Sequence, residues 1–365
     1  MKEPRVAPLL FEALPGLARA VPWRPLAELP SPVERADAIA DWIGAPLAQR
    51  VWIKRDDLVS PLYGGNKVRR YEFVLADAEA KGARRIVTAG GIASTQVMAT
   101  ALFGRALGLA VRVVLFDQPI TRFAKQALLI DADAGAELVW GGNYVTTALR
   151  TIEGLARDRR DGNYLILPGA SNPVANVGYV DAMLELAQQV ERGELPRPDA
   201  IVLPTGSSGT LAALALGAAW LGWDTEIVGV RIAPWIACNR LTIGAVIAAT
   251  DRFLHQHDPT RWKRQSRRAR FSLHHGAIGP GYGHPTPASI EAIEQVRALT
   301  GAPGEVTYSG KALVGLRAIA REPRWRGKNL LLWNTLSTPR PTPSPDARAR
   351  VPSSLRWILD APEVA

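Results

Sequence analysis

Apolar positions along this chain come in two rhythms that take turns: short β-branched runs and longer stretches with helical spacing. The run Arg-Arg-Ile-Val-Thr-Ala over 84–89 reads as a strand, since β-branched side chains suit a pleated, buried surface. Gly90 and Gly91 follow it, and Ser94 or Thr95 then stands where an N-cap is wanted for a helix over 96–107 that stops at Gly108. The alternation continues with strands over 111–116, 137–140, 164–167, 200–203, 226–230 and 329–333. Helices are predicted over 123–134, 146–157, 177–192, 210–221 and 311–321. Such alternation predicts parallel sheets with helices on both faces. Residues 1–50 are proline-rich at first and are then predicted helical over 32–43, while 340–352, rich in Pro, Ser and Arg, is predicted to be a surface tail. No internal repeat is present. Two sheets are expected, but periodicity does not divide the strands between them.

Length and composition narrow the class. The 365 residues exceed the about 250–300 that one core serves, so two domains are expected. At 47% apolar and 21% charged the chain reads as an ordinary soluble globular protein. No uncharged apolar run is long enough for a membrane span, and the proline-broken start lacks the apolar stretch of a secretory signal. Cys238 is the only cysteine, which rules out an intramolecular disulfide and fits a reducing cytoplasm. The histidine pairs 255/257 and 274/275 have no neighbouring Cys or His-Glu pattern, so no metal site is expected. The formal charge is +10, and its sharpest cluster is the run RWKRQSRRAR over 261–270. With no zinc-finger spacing or aromatic RNA-binding motif beside it, the run reads as a solvated connection after a helix, not as a nucleic-acid surface.

Two stretches carry chemistry. The first is Lys-Arg-Asp-Asp-Leu over 54–58 followed by Gly-Gly-Asn-Lys-Val-Arg-Arg over 64–70. Gly64 and Gly65 permit a tight turn. From Val68 the spacing Val68, Tyr71, Leu75, Ala78 is helical, which puts Lys67 at a helix start. There the positive end of the helix favours a neutral amine, the form that makes an imine. On its own, though, a lysine after a turn is ordinary surface chemistry. The second stretch, Pro-Thr-Gly-Ser-Ser-Gly-Thr over 204–210, follows a strand and opens a helix. Its backbone N–H groups make a phosphate cradle, its glycines let an anion approach, and Ser207, Ser208 and Thr210 add hydroxyls. It is neither a Walker A loop nor a G-x-G-x-x-G loop.

Together these motifs resemble the family of D-cysteine desulfhydrases and 1-aminocyclopropane-1-carboxylate deaminases, from about Pro25 to Ser337. The resemblance implies an α/β fold of the tryptophan-synthase-β type (fold type II), with two parallel-type sheets flanked by helices. It also implies pyridoxal 5'-phosphate carried as a Schiff base on Lys67. Residues 1–70 with 180–365 would form a large cofactor-binding domain and 71–179 a small one, with the active site in the cleft between them. Asn66 would support the cofactor, and Arg70 stands where the family often has a lysine near the phosphate. Thr205, Gly206, Ser207, Ser208, Gly209 and Thr210 would hold the phosphate. Ser94, in the loop 90–96, matches a substrate-facing serine that shuttles protons, with Thr95 beside the cofactor. Tyr282 and Tyr308 match active-site tyrosines, although by residue type alone each reads as a packed aromatic. Ser309 falls opposite the pyridine nitrogen, where the deaminases have glutamate and the desulfhydrases threonine.

Ser309 has a chemical consequence. A carboxylate there would keep the ring nitrogen protonated and strengthen the ring as an electron sink. A hydroxyl does this less well and favours elimination, in which a leaving group relieves the carbanion. Two departures bear on the substrate: Thr95 replaces the family's asparagine, and Trp-Asn-Thr-Leu-Ser over 333–337 replaces a His-Thr-Gly-Gly type loop. The expectation is a cytoplasmic homodimeric lyase acting on a small amino acid, D-cysteine first. The rivals are a bulkier amino acid in a specialised pathway and a catalytically weak cofactor-binding sensor.

Overall fold

The computed structural model describes residues 6–45, 49–157, 162–301 and 304–364; residues 1–5 of the proline-rich start lie outside these. Among the described residues there are ten strands: β1 (Val33–Arg35), β2 (Arg50–Lys54), β3 (Arg85–Gly91), β4 (Ala110–Phe116), β5 (Glu137–Gly142), β6 (Asn163–Ile166), β7 (Ala200–Thr205), β8 (Glu226–Arg231), β9 (Phe271–His274) and β10 (Asn329–Trp333). They form a six-stranded sheet of order β1-β2-β10-β7-β8-β9 and a four-stranded sheet of order β5-β4-β3-β6. The chain divides into two units, one of Met1–Phe73 with Ser171–Pro339 and one of Val74–Ala170 with Arg340–Ala365. The division falls inside the helix Asn66–Ala80.

The larger unit holds the six-stranded sheet, parallel except for β1, which runs antiparallel to β2 with Val33 opposite Lys54. This corrects the expected helix over 32–43. Val33 to Arg35 pair with β2 as a strand, and only Asp37–Ile43 is helical, stopped by Gly44 at φ 67°. β10, last in sequence, lies between β2 and β7, so its run Leu330–Trp333 is buried on both faces. The helix Gly209–Trp220 is buried along eleven of its twelve residues and packs with Pro173–Glu191 in one apolar core. Two helices that periodicity left unbounded, Arg240–His257 and Pro287–Thr300, each begin with a reciprocal capping box, at Asn239 and at Thr286.

The arginine-rich run 261–270 is tied down rather than loosely solvated. Buried Asp251 accepts from Trp262 Nε1 (2.9 Å), Arg264 Nε (2.6 Å) and the backbone N–H groups of Gln265 (2.9 Å) and Ser266 (3.1 Å). Trp262 is buried outright, while the arginines of the run point outward.

In the smaller unit the four strands are all parallel, with the helices Thr95–Ala106, Arg122–Asp133 and Tyr144–Arg157 between them. The C-terminal segment corrects a second expectation. It is a packed part of this unit, not a tail of the larger one. Arg350 pairs with Asp133 at 2.6 Å, Ser344 Oγ donates to the same carboxylate at 2.5 Å, and Trp357 meets Trp140 edge-on at 5.5 Å. Val351, Leu355 and Ile358 are fully buried there, apolar residues at a spacing that its Pro, Ser and Arg content conceals. Among the described residues no helix is long and apolar enough to cross a membrane, and no group of His, Cys, Asp and Glu is placed to hold a metal ion.

Candidate active site

The turn that presents Lys67 is held through its backbone N–H groups. Gly65 N donates to Asp56 O (2.7 Å), Asn66 N to Thr335 O (3.0 Å) and Gly64 N to Ser337 Oγ (2.7 Å). A side chain on Gly64 would put its Cβ 2.1 Å from Asp57 O, and one on Gly65, at φ 84°, would lie 2.5 Å from Thr335 O. Only glycine fits at either place. The helix Asn66–Ala80 then starts at once, with Lys67 as its second residue.

Behind this turn lies a buried ionic network that the Lys-Arg-Asp-Asp motif builds. Arg69 donates to Asp56 and to Glu185, both at 2.8 Å, and Lys54 Nζ donates to Glu185 at 2.6 Å. Asp56 also accepts from Ser31 Oγ (2.8 Å), Tyr179 OH (2.6 Å) and Trp333 Nε1 (2.7 Å). Burial opposes ionisation of Asp56 and Glu185, but Arg69 and Lys54 outweigh it and hold both carboxyls below their usual range. Such a network is costly to desolvate and very costly to break, so it specifies one placement of the helix that bears Lys67. Trp333, read from sequence as a departure in a substrate loop, is part of this foundation. Its neighbour Thr335 reaches the Lys67 turn through its carbonyl, and Trp333, Asn334 and Thr335 share with Ser309 and Pro204 the lining of a cavity of about 20 Å³.

Lys67 itself is buried, and its Nζ donates to Asn66 Oδ1 at 3.0 Å. Burial first, and the charge of Arg70 second, push its pKa well below that of a free lysine. The shift toward the neutral amine expected of this position comes from desolvation first and from a neighbouring cation second. Asn66 Nδ2 donates to Thr210 Oγ1 (3.2 Å), and Arg70 donates to the same hydroxyl (2.8 Å) and to Ser171 Oγ (3.1 Å). Ser171 Oγ in turn donates to Ser207 Oγ at 2.6 Å. Lys67, Asn66, Arg70, Ser207 and Thr210 thus belong to one hydrogen-bonded chain closed by Ser171, a residue no sequence motif marked.

The loop Thr205–Thr210 fits a phosphate. Ser208 takes the left-handed conformation (φ 69°, ψ −13°) as N-cap of a twelve-residue helix, which turns the first N–H groups outward to a common point. Its Oγ is buried and finds no well-formed hydrogen bond, although the Cys238 thiol lies close by and donates to Thr205 O at 3.4 Å. A Cβ at Gly209 would lie 2.7 Å from Arg70 Nη2, Asn176 Oδ1 and Ser171 Oγ, so a side chain there would fill the cradle. Gly206 has room, its nearest neighbour being Ile232 at 3.7 Å. An anion-binding helix end, spare hydroxyls and the buried cation Arg70 are what the phosphate of a cofactor requires. Burial lowers the pKa of Arg70 only to about 10, so it remains charged at neutral pH.

Tyr282 and Tyr308 meet: their hydroxyls are 2.8 Å apart and their rings stand edge-on. Tyr308 sits in a single wide helical turn, Val306–Gly310, whose open N–H groups are capped by the buried Glu305 carboxylate. Glu305 accepts from Thr307 N (2.7 Å), Ser309 N (3.2 Å) and Tyr308 N. Ser309 Oγ both accepts from Glu305 N and donates to Glu305 O, each at 2.9 Å. Glu305 was not legible as a site residue, since a glutamate before a Thr-Tyr-Ser run carries no motif.

Ser94 and Thr95 belong to the smaller unit. Ser94 Oγ caps the helix Thr95–Ala106 by accepting from Val97 N at 3.3 Å, as its place before the helix predicts. The loop over 91–94 is held by Gln118, whose Oε1 accepts from Ala93 N at 3.1 Å. Gln96 donates to Thr88 and Thr100 hydroxyls at 2.9 and 3.0 Å, so its side chain serves the fold of this unit.

A buried lysine with a depressed pKa beside a phosphate cradle, on an α/β fold of tryptophan-synthase-β type (fold type II), defines a pyridoxal-phosphate enzyme. The chain belongs to that family: residues 25–335 match the group described as pyridoxal-phosphate dependent enzymes, and pyridoxal phosphate is its cofactor. It is 33% identical over 294 residues to the D-cysteine desulfhydrases of Salmonella paratyphi B and Salmonella newport, covering 79% of this chain and 85% of each relative. Among solved structures it resembles an ACC deaminase homologue, with TM-score 0.75, 29% identity and coverage of 91% of this chain and 95% of that one. Maize serine racemase matches at TM-score 0.58 and 15% identity over 90% of this chain and 92% of that one, a likeness of fold alone.

Proposed function

We propose that this enzyme is a lyase that eliminates a β substituent from a small amino acid. D-cysteine is the first substrate, converted with one water to pyruvate, hydrogen sulfide and ammonia. The observation that carries the reading is Lys67, buried, its pKa lowered by its surroundings, and linked through Asn66 and Arg70 to the phosphate loop. The resemblance to the Salmonella desulfhydrases supports the substrate. Bound pyridoxal phosphate supplies an electron sink for the charge left at the substrate Cα. The loop 205–210 and Arg70 anchor that cofactor by its phosphate, which fixes the orientation of the reacting atoms. Lys67, as a free amine, takes the proton from Cα, with Ser94 as its rival for that step. The Tyr282–Tyr308 pair holds a proton that passes to the departing sulfide. Ser309, with its hydroxyl engaged at both ends by the Glu305 backbone, presents a neutral group, and that suits elimination.

A second reading, a bulkier amino acid at the same cofactor, is favoured by Thr95, a shorter residue than the family's asparagine. We place the enzyme in the cytoplasm as a homodimer, with the larger unit, Met1–Phe73 with Ser171–Pro339, as the cofactor-binding domain. The single buried thiol of Cys238 agrees with that compartment, and light scattering reads the oligomer. The test of function is pyruvate release from D-cysteine by the holoenzyme, with Lys67→Ala as control. Multiple turnovers lost in the variant support the desulfhydrase reading. If pyruvate is absent while the visible absorption of the holoenzyme still depends on Lys67, D-cysteine is the wrong substrate and a size series of amino acids replaces it.

A further inference from the structure

Lys311 stands at the end of the wide turn that carries Tyr308, and its side chain is buried. A buried ammonium needs acceptors, and here these are two backbone carbonyls from a distant segment: Ile278 O at 2.7 Å and Gly281 O at 2.8 Å. Gly281 is the residue before Tyr282. One side chain therefore ties the segment of Tyr282 to the segment of Tyr308, and the two phenols meet 2.8 Å apart.

We infer that Lys311 is a positioning residue, whose bonds to the Ile278 and Gly281 carbonyls set the hydrogen bond between Tyr282 and Tyr308. The role in catalysis that follows rests on the elimination reading above; the clamp itself does not. Glu305 supports it from the other end of the turn, capping the N–H groups of Thr307 to Ser309. Burial lowers the pKa of Lys311 to about 8, against the pull of Glu305, so the side chain is mostly an ammonium at neutral pH. A neutral side chain without donors takes the ammonium from both carbonyls and leaves Gly281 O with the long His284 N–H contact at 3.4 Å. The segment 278–282 is then free to shift, and a shift of about 1 Å is enough to separate the hydroxyls, since bonding fails beyond about 3.5 Å.

The experiment uses Lys311→Met, and Lys311→Leu in case the first does not fold, each alone and combined with Tyr282→Phe. Ultraviolet difference titration of the apo protein reads tyrosine ionisation. In the parent, Tyr282→Phe alters the ionisation of a second tyrosine, its partner Tyr308. In the Lys311 variants this coupling is expected to vanish. In holoenzyme turnover of D-cysteine, kcat is expected to fall about tenfold with KM within about twofold. Tyr282→Phe should then cost little more in the variant than the variant already costs, the signature of two changes that remove one interaction. Coupling between the tyrosines that persists without Lys311, or kinetic losses that simply multiply, overturns the proposal. If the parent makes no pyruvate while the titration coupling still depends on Lys311, the clamp stands and the desulfhydrase reading falls.

Discussion

Asp56 accepts the indole N–H of Trp333 at 2.7 Å while Arg69 grips the same carboxylate at 2.8 Å. The end of β10 and the helix that bears Lys67 are thereby fastened to one buried anion. Because Lys67 is two residues from Arg69, its position is inherited from that anion.

Asp56→Asn keeps the shape and removes the charge that Arg69 and Lys54 answer. Breaking a buried ion pair from one side costs about 3–5 kcal/mol. We expect a lower urea midpoint with an unchanged slope. We also expect loss of visible cofactor absorption in the fraction that folds, read on the same samples.

Gly209→Ala places a methyl group where Arg70, Asn176 and Ser171 all stand at 2.7 Å. The cradle must open, and cofactor affinity should fall roughly tenfold or more, about 1.4 kcal/mol for each factor of ten. Titration of the apo variant with pyridoxal phosphate measures it, with circular dichroism to show the fold intact. Gly206→Ala, where the nearest atom is 3.7 Å away, is the control and should bind more nearly as the parent does.

Glu72 supplies a pH dependence. Burial raises its pKa from 4.5 to about 7, although it accepts from Leu26 N (3.0 Å) and Ala27 N (3.1 Å). Between those values the folded protein holds a proton that the unfolded chain releases. Stability therefore falls as pH rises from about 4.5 to about 7 and this contribution is level above. Glu72→Gln removes the titration. Its Tm relative to the parent should rise from pH 5 to pH 8, and a constant difference across that range would sink the assignment.

Alternation of β-branched runs and helical spacing, with glycines at the joints, was enough to place most strands of both sheets and the helices between them. These are local properties, written in which side chains suit a pleat and which residues stop a helix. The lysine, the serine-glycine loop and the two tyrosines became candidates through the resemblance to a family, since each alone also reads as a turn lysine, a plain strand–helix turn or a packed aromatic. What needed the tertiary structure was everything set by distant partners. Val33 to Arg35 became a strand because β2 offered an edge, the C-terminal segment packed because Asp133 and Trp140 received it, and β10 took the centre of its sheet from the far end of the chain. The lowered pKa of Lys67 belongs to this second kind. Sequence put it beside a helix end, but burial and the nearness of Arg70, which lower its pKa, exist only once the chain has closed around it.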